Sequence, residues 1–182
     1  MRMYAVVFLY LVAIVSANVV TASTVPFQFG EFIIPAGTFI IGATFILRDL
    51  VQNYLGRKKT YLLIGVAIVM SAITSSLLGD TLWIVFASVL TFLFSETTDT
   101  EIYTRLKLPL AWRVAYSGIV GGFLDSVIFV IVGLSPLGAN FLPWDAVVYA
   151  ILGQIIVKTI IQLFGAAVFG LVGKRFINHS LQ

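Results

Sequence analysis

Six ionisable residues stand inside long apolar runs rather than between them: Arg48, Asp49, Glu96, Asp99, Asp125 and Lys158. Two cations thus face four carboxylates, and salt bridges alone cannot neutralise the set. A charge at the centre of a bilayer costs about 2.5 to 3.5 kcal/mol on insertion scales, so such groups face a bundle interior and pair. The unpaired carboxylates must take up protons or receive a donor-rich or cationic ligand. Pinning the helices together is the competing role. It predicts balanced pairs, and the imbalance favours function.

The spacing groups these residues on helix faces. Glu96 and Asp99 are three apart, with Thr100 and Tyr103 beside them, whereas Glu101 points elsewhere. Asp49, Gln52 and Asn53 share a face, as do Gln154, Lys158 and Gln162. Asp125 has Ser126 next to it, and the first apolar run offers Ser16 and Asn18.

These residues need membrane helices to carry them. The chain is 60% hydrophobic and 10% charged, against about 25% charged in soluble domains. Its apolar residues come in blocks, which points to lipid as the solvent. Six spans are predicted, near 3–22, 33–55, 60–79, 81–104, 113–134 and 146–172, joined by short connectors in a single transmembrane domain of 1–182. The first is read as a retained helix rather than a cleaved signal. From Leu82 to Phe94 the fourth apolar run covers only about 20 Å, less than the hydrocarbon core. The helix is therefore expected to continue through SETTDTEIY to Arg105, holding Glu96 and Asp99 inside the membrane. A tilted helix ending at Phe94 is the alternative.

Connectors one, three and five carry Glu31, Asp80 and Asp145 without Lys or Arg. Connectors two and four carry Arg57, Lys58, Lys59, Arg105 and Lys107, with Arg113 opening the next helix. Arg2, Lys174 and Arg175 fall on the same side, so both termini are expected in the cytoplasm. The net charge of +3 therefore suits lipid headgroups, not nucleic acid. The long first outer connector, TASTVPFQFGEFIIP, either folds back as a plug or forms a plain loop. Gly118 and Gly122, Ser117 and Gly121, and Ala166 and Gly170 lie four apart, and Gly37 and Gly42 read likewise as sites of close helix approach.

Several chemistries find no support. The sequence has no GxxxxGK[ST], no GxSxG and no filter-like repeat. It has no cysteine, and His179 is its lone histidine, near the end of the tail. No catalytic residue, metal or cofactor is expected.

The stretches AGTFIIGATFILRDLVQNYLGRK, SETTDTEIYTRLK and GGFLDSVIFVIVG, with an early Ser16-Ala17-Asn18, resemble in order the queuosine-precursor transporter family. This family is also called the vitamin uptake transporter or YhhQ family. The resemblance implies a six-helix inner- or plasma-membrane importer of 7-deazaguanines such as preQ0 or preQ1. It also implies a fold similar to the substrate-binding subunits of energy-coupling-factor transporters. A deazaguanine presents a ring N–H and an exocyclic amine on one edge, and a carboxylate accepts both in a fork. Glu96 and Asp99 are expected as the central acceptor with Asp125 opposite. Arg48 would neutralise Asp49 and brace the site, and Lys158 would hold a second carboxylate when the site is empty. Asn18, Gln52 or Gln154 would serve the ring carbonyl and pyrrole N–H. Phe45, Phe94, Tyr103 or Trp144 would stack on the ring. The expected partners are a small nucleobase and the bilayer, and a homodimer is compatible with so small a bundle. Two other readings stay open: a substrate-binding subunit that needs a separate ATPase module, and an intramembrane enzyme.

Overall fold

The computed structural model describes residues 2–177, with side chains from 3 to 171. The side chains of Arg2, Lys174, Arg175 and His179 lie outside the described residues. The elements run α1 (Arg2–Ser23), β1 (Phe27–Phe29), β2 (Phe32–Ile34), α2 (Gly37–Leu55), α3 (Arg57–Leu77), α4 (Leu82–Arg105), α5 (Leu110–Ile128) and α6 (Trp144–Ile177). A π-helical turn, Phe129–Leu134, extends α5. The architecture is an all-α bundle with one short hairpin.

Five of the six helices are long and apolar enough to cross a membrane. The exception is α2, which carries Arg48, Asp49, Gln52 and Asn53 within 19 residues. It packs against α1, α3, α4, α5 and α6, and buries Arg48, Asp49 and Gln52. Its neighbours, not its own apolarity, solvate that polar face. Asn53 departs from this grouping and is exposed.

The elements also differ locally from the sequence expectation. Helix two does not begin at 33, because Phe32–Ile34 form a strand paired antiparallel with Phe27–Phe29. Gly30 makes the turn at φ 61°. Ile34 and Phe32 pack on α6 at Gly153, and Phe32 meets Tyr149 edge-on. The first outer connector is thus a hairpin seated on the bundle rather than a plain loop. The connector expected at 56–59 shrinks to Gly56, whose φ of 73° reverses the chain in one residue. Arg57, Lys58 and Lys59 therefore form the first turn of α3. Helix four does run unbroken through SETTDTEIY to Arg105, about 36 Å in all.

Small residues set the closest helix approaches. A Cβ on Gly37 would sit 2.5 Å from the Ala17 carbonyl oxygen, so α1 and α2 touch backbone to side there. A Cβ on Gly118 would overlap the Gln162 side chain, and one on Gly42 would press on Ile161 at 2.9 Å. Such spacings let polar side chains bridge between helices.

Candidate functional site

Consecutive helices alternate in direction, so one end of the bundle collects Arg57, Arg105 and Arg113 and the other collects Glu31, Asp80 and Asp145. Between these ends the polar residues form three tiers.

The first tier is a cavity of about 490 Å³ reaching in from the acidic end. That size lies within the usual range for small-molecule sites. Pro26, Ile33 and Pro35 of the hairpin region line its mouth, together with Asp80, which accepts a hydrogen bond from Ser75. Asn18, Asp125, Gln154 and Lys158 supply polar groups further in. Lys158 Nζ pairs with Asp125, lies 3.0 Å from the Ser126 hydroxyl, and donates to Gln154 Oε1 at 3.1 Å. This leaves Gln154 Nε2 buried without a partner. Asn18 donates to the Ser71 carbonyl and hydroxyl at 3.1 and 3.0 Å, so its own oxygen is left to accept. The apolar walls include Phe92, Phe129 and Phe141. The π turn carries Phe129, and wide turns of this kind often accompany functional sites.

The second tier lies about one helical turn deeper and is sealed. Arg48 is fully buried at its centre. Its guanidinium sits 2.9 Å from Asp49, 3.3 Å from Glu96 and in contact with Asp99. Nη1 donates to Gln52 Oε1 and Thr100 Oγ1, both at 3.0 Å. Gln52 in turn donates to Thr104 Oγ1 at 2.8 Å, and Ser117 donates to Asp49 at 3.4 Å. Phe45 and Asp99 meet the backbone of α5 at Gly121, where a Cβ would stand about 3 Å from each. Asp99 Oδ1, Tyr10 Oη and Tyr103 Oη are buried here without a hydrogen-bond partner, whereas Asp99 Oδ2 and Glu96 Oε2 meet only Arg48.

The third tier closes the basic end. Arg113 lies 4.0 Å from the centre of the Tyr103 ring and donates to the Tyr103 carbonyl at 2.9 Å. Tyr103 packs with Val114, Ala115 and Ala166. Glu101 joins Arg57 and Tyr61 of α3 to Arg105 of its own helix, which ties α3 to α4.

The expected site residues therefore divide between tiers. Asn18, Asp125, Gln154 and Lys158 line the cavity, whereas Arg48, Asp49, Gln52, Glu96 and Asp99 do not. Asp125 pairs with Lys158, the kind of contact expected of Lys158 in an empty site, and does not share the Arg48 contact of Glu96 and Asp99. Neither Phe45 nor Tyr103 lines the cavity; both are buried around the Arg48 cluster. Phe94 and Trp144 are 49% and 53% exposed on the outside of the bundle, where a membrane would cover them. The cavity's own aromatic residues, Phe92, Phe129 and Phe141, were not singled out by sequence. Phe92 was legible in principle, because it sits one turn before Glu96 on the same face.

Membrane-spanning helices around a solute-sized cavity that reaches in from one end define a multi-pass membrane protein with room for a small molecule. The chain belongs to the vitamin uptake transporter family: residues 72–172, more than half its length, match the family model described as "Putative vitamin uptake transporter". That stretch holds Glu96, Asp99, Asp125, Gln154 and Lys158, but neither Asn18 nor Arg48. No curated protein and no solved structure matches the chain.

Proposed function

We propose that this transporter imports a 7-deazaguanine precursor of queuosine, such as preQ0 or preQ1, across the inner or plasma membrane, and that the solute docks on the Lys158–Asp125 pair. The observation that carries this reading is a paired acid and base at the inner part of an aromatic-walled cavity. The edge of a deazaguanine reads acceptor, donor, donor: the ring carbonyl, the ring N–H and the exocyclic amine. Asp125 accepts from the two donors, and Lys158, swung off its partner, donates to the carbonyl. Each charged group exchanges one partner for another, so neither is left bare in a low-dielectric site. The free oxygen of Asn18 is suited to accept from the N–H of the five-membered ring, and the free Nε2 of Gln154 to donate to the ring carbonyl. Phe92 and Phe129 offer flat apolar surface for the rings.

On this reading Glu96 and Asp99 act beneath the solute rather than on it, because Arg48 already holds them. The basic end faces the cytoplasm, so the cavity opens outward. Alternating access then requires the Tyr103–Arg113 and Glu101 contacts to part while the hairpin closes over the mouth.

The purified chain in proteoliposomes, given labelled preQ1, tests the proposal. Wild-type protein should exchange external for internal label, and excess unlabelled deazaguanine but not uracil should compete. Asp125→Asn should lower apparent affinity by one to two orders of magnitude. Uptake that appears only when an ATPase module is added would replace the importer with a substrate-binding subunit. A chemically altered product inside the vesicles would point to an enzyme.

A further inference from the structure

The Arg48 cluster has a charge problem that the cavity does not. Three carboxylates, from Asp49, Glu96 and Asp99, surround one guanidinium in a compartment closed to solvent. Full ionisation would leave two negative charges uncompensated, a state that low-dielectric surroundings disfavour strongly. The neighbouring groups do not repair it. From α1, the Tyr10 hydroxyl is fully buried, lacks a hydrogen-bond partner, and lies within electrostatic reach of Glu96, Asp99 and Arg48. From α4, the Tyr103 hydroxyl is also unpartnered and within reach of Asp49, Asp99 and Arg48. From α5, Asp125 adds a negative charge that Glu96 senses, although Lys158 of α6 balances it. Meanwhile Asp99 Oδ2 and Glu96 Oε2 meet only the shared Arg48 guanidinium, and Asp99 Oδ1 has no partner.

We propose that the Arg48 cluster is a proton-binding site, that Glu96 and Asp99 hold the exchangeable proton, and that its uptake and release drive accumulation of the solute bound above. The step is simple to balance. A carboxylate takes a proton from hydronium on the outer side, one hydronium O–H bond breaking as the carboxyl O–H forms, and on the inner side the carboxyl O–H breaks as water becomes hydronium. The coupling element is Asp125, which lines the cavity and whose charge acts on Glu96 in the tier below. A solute that takes over Asp125 and displaces Lys158 alters the charge that Glu96 senses. Proton binding then alters solute affinity by the same factor, because linkage is reciprocal. This inference rests on the transport reading above.

The test separates the two. Proteoliposomes are clamped at zero voltage with potassium and valinomycin, and labelled preQ1 is followed in two modes: exchange at equal pH, and net accumulation with the outside more acidic. One proton moved per solute gives a steady-state ratio of about tenfold per pH unit. A trapped pH dye should report lumenal acidification when solute is added. Exchange without accumulation or acidification would overturn proton coupling and leave the transporter standing. Absence of exchange would remove the transport reading and the inference with it. Glu96→Gln and Asp99→Asn locate the proton: loss of gradient-driven accumulation in at least one supports the cluster, and retention in both overturns the assignment. Should neither variant fold, carbodiimide labelling of the wild-type protein decides. An adduct on Glu96 or Asp99 that diminishes as pH rises supports the site, and an unmodified peptide containing both residues overturns it.

Discussion

The two buried ionic tiers use the same residue types in opposite ways. Around Lys158 one cation meets one carboxylate at the wall of an open cavity. Around Arg48 one cation meets three carboxylates that are buried away from solvent. A balanced pair beside a cavity can trade partners with a ligand at little net cost, since each charge stays matched. An unbalanced cluster shut away from water can be matched only by protons or by rearranging the helices that hold it. The difference teaches that a surplus of intramembrane carboxylates can gather away from the cavity wall. The planar, multi-donor guanidinium suits the crowded tier, and the single-point ammonium suits the exchanging one.

The contrast is most sharply broken at Arg48. Arg48→Ala strips the cation from three buried carboxylates, and removing one partner of a buried ion pair typically costs 3–5 kcal/mol. The variant should lose folded yield or show a much lower unfolding temperature in detergent. An unchanged melting profile would mean that the carboxylates are already neutral without Arg48. The Lys158 tier should behave differently. Lys158→Met should cut uptake at least tenfold while the protein stays folded and monodisperse, and a collapse like that of Arg48→Ala would erase the distinction between tiers. Phe92→Ala should raise the apparent Kd several-fold through lost ring contact, with little change in maximal rate. Tyr10→Phe removes a hydroxyl that has no partner, so stability should hold or rise slightly. A loss of gradient-driven uptake there, with exchange intact, would tie Tyr10 to the proton path. The smallest effect is expected for Glu101→Gln, because its partners Arg57 and Arg105 are largely exposed. A large effect there would show that the basic end is held shut by this contact.

Particular residues show how far sequence reasoning reaches. The thirteen residues from Leu82 to Phe94 are too few to cross a bilayer, and this required α4 to run on through Glu96 and Asp99, as it does. Helical spacing likewise set Glu96 beside Asp99 and Thr100, and Lys158 between Gln154 and Gln162. The count of two cations against four carboxylates needed no coordinates. A fold-back of the first outer connector was one of two open readings, but its pairing as a hairpin at Phe27–Ile34 and the one-residue reversal at Gly56 depend on packing and on single φ values that hydropathy does not encode.

What the sequence determined by itself was the solvent of the fold, the set of helices and the relative faces of residues a few positions apart, because composition and a 3.6-residue period act locally. Only the tertiary structure decided how those helices rotate and slide against one another. That choice put Asp49, Glu96 and Asp99 on Arg48, gave Asp125 to Lys158, and left Phe92, Phe129 and Phe141 around the cavity. Contacts between residues tens of positions apart are fixed by small-residue crossings such as Gly37 on Ala17 and Gly118 on Gln162, whose depth and angle no single helix can specify.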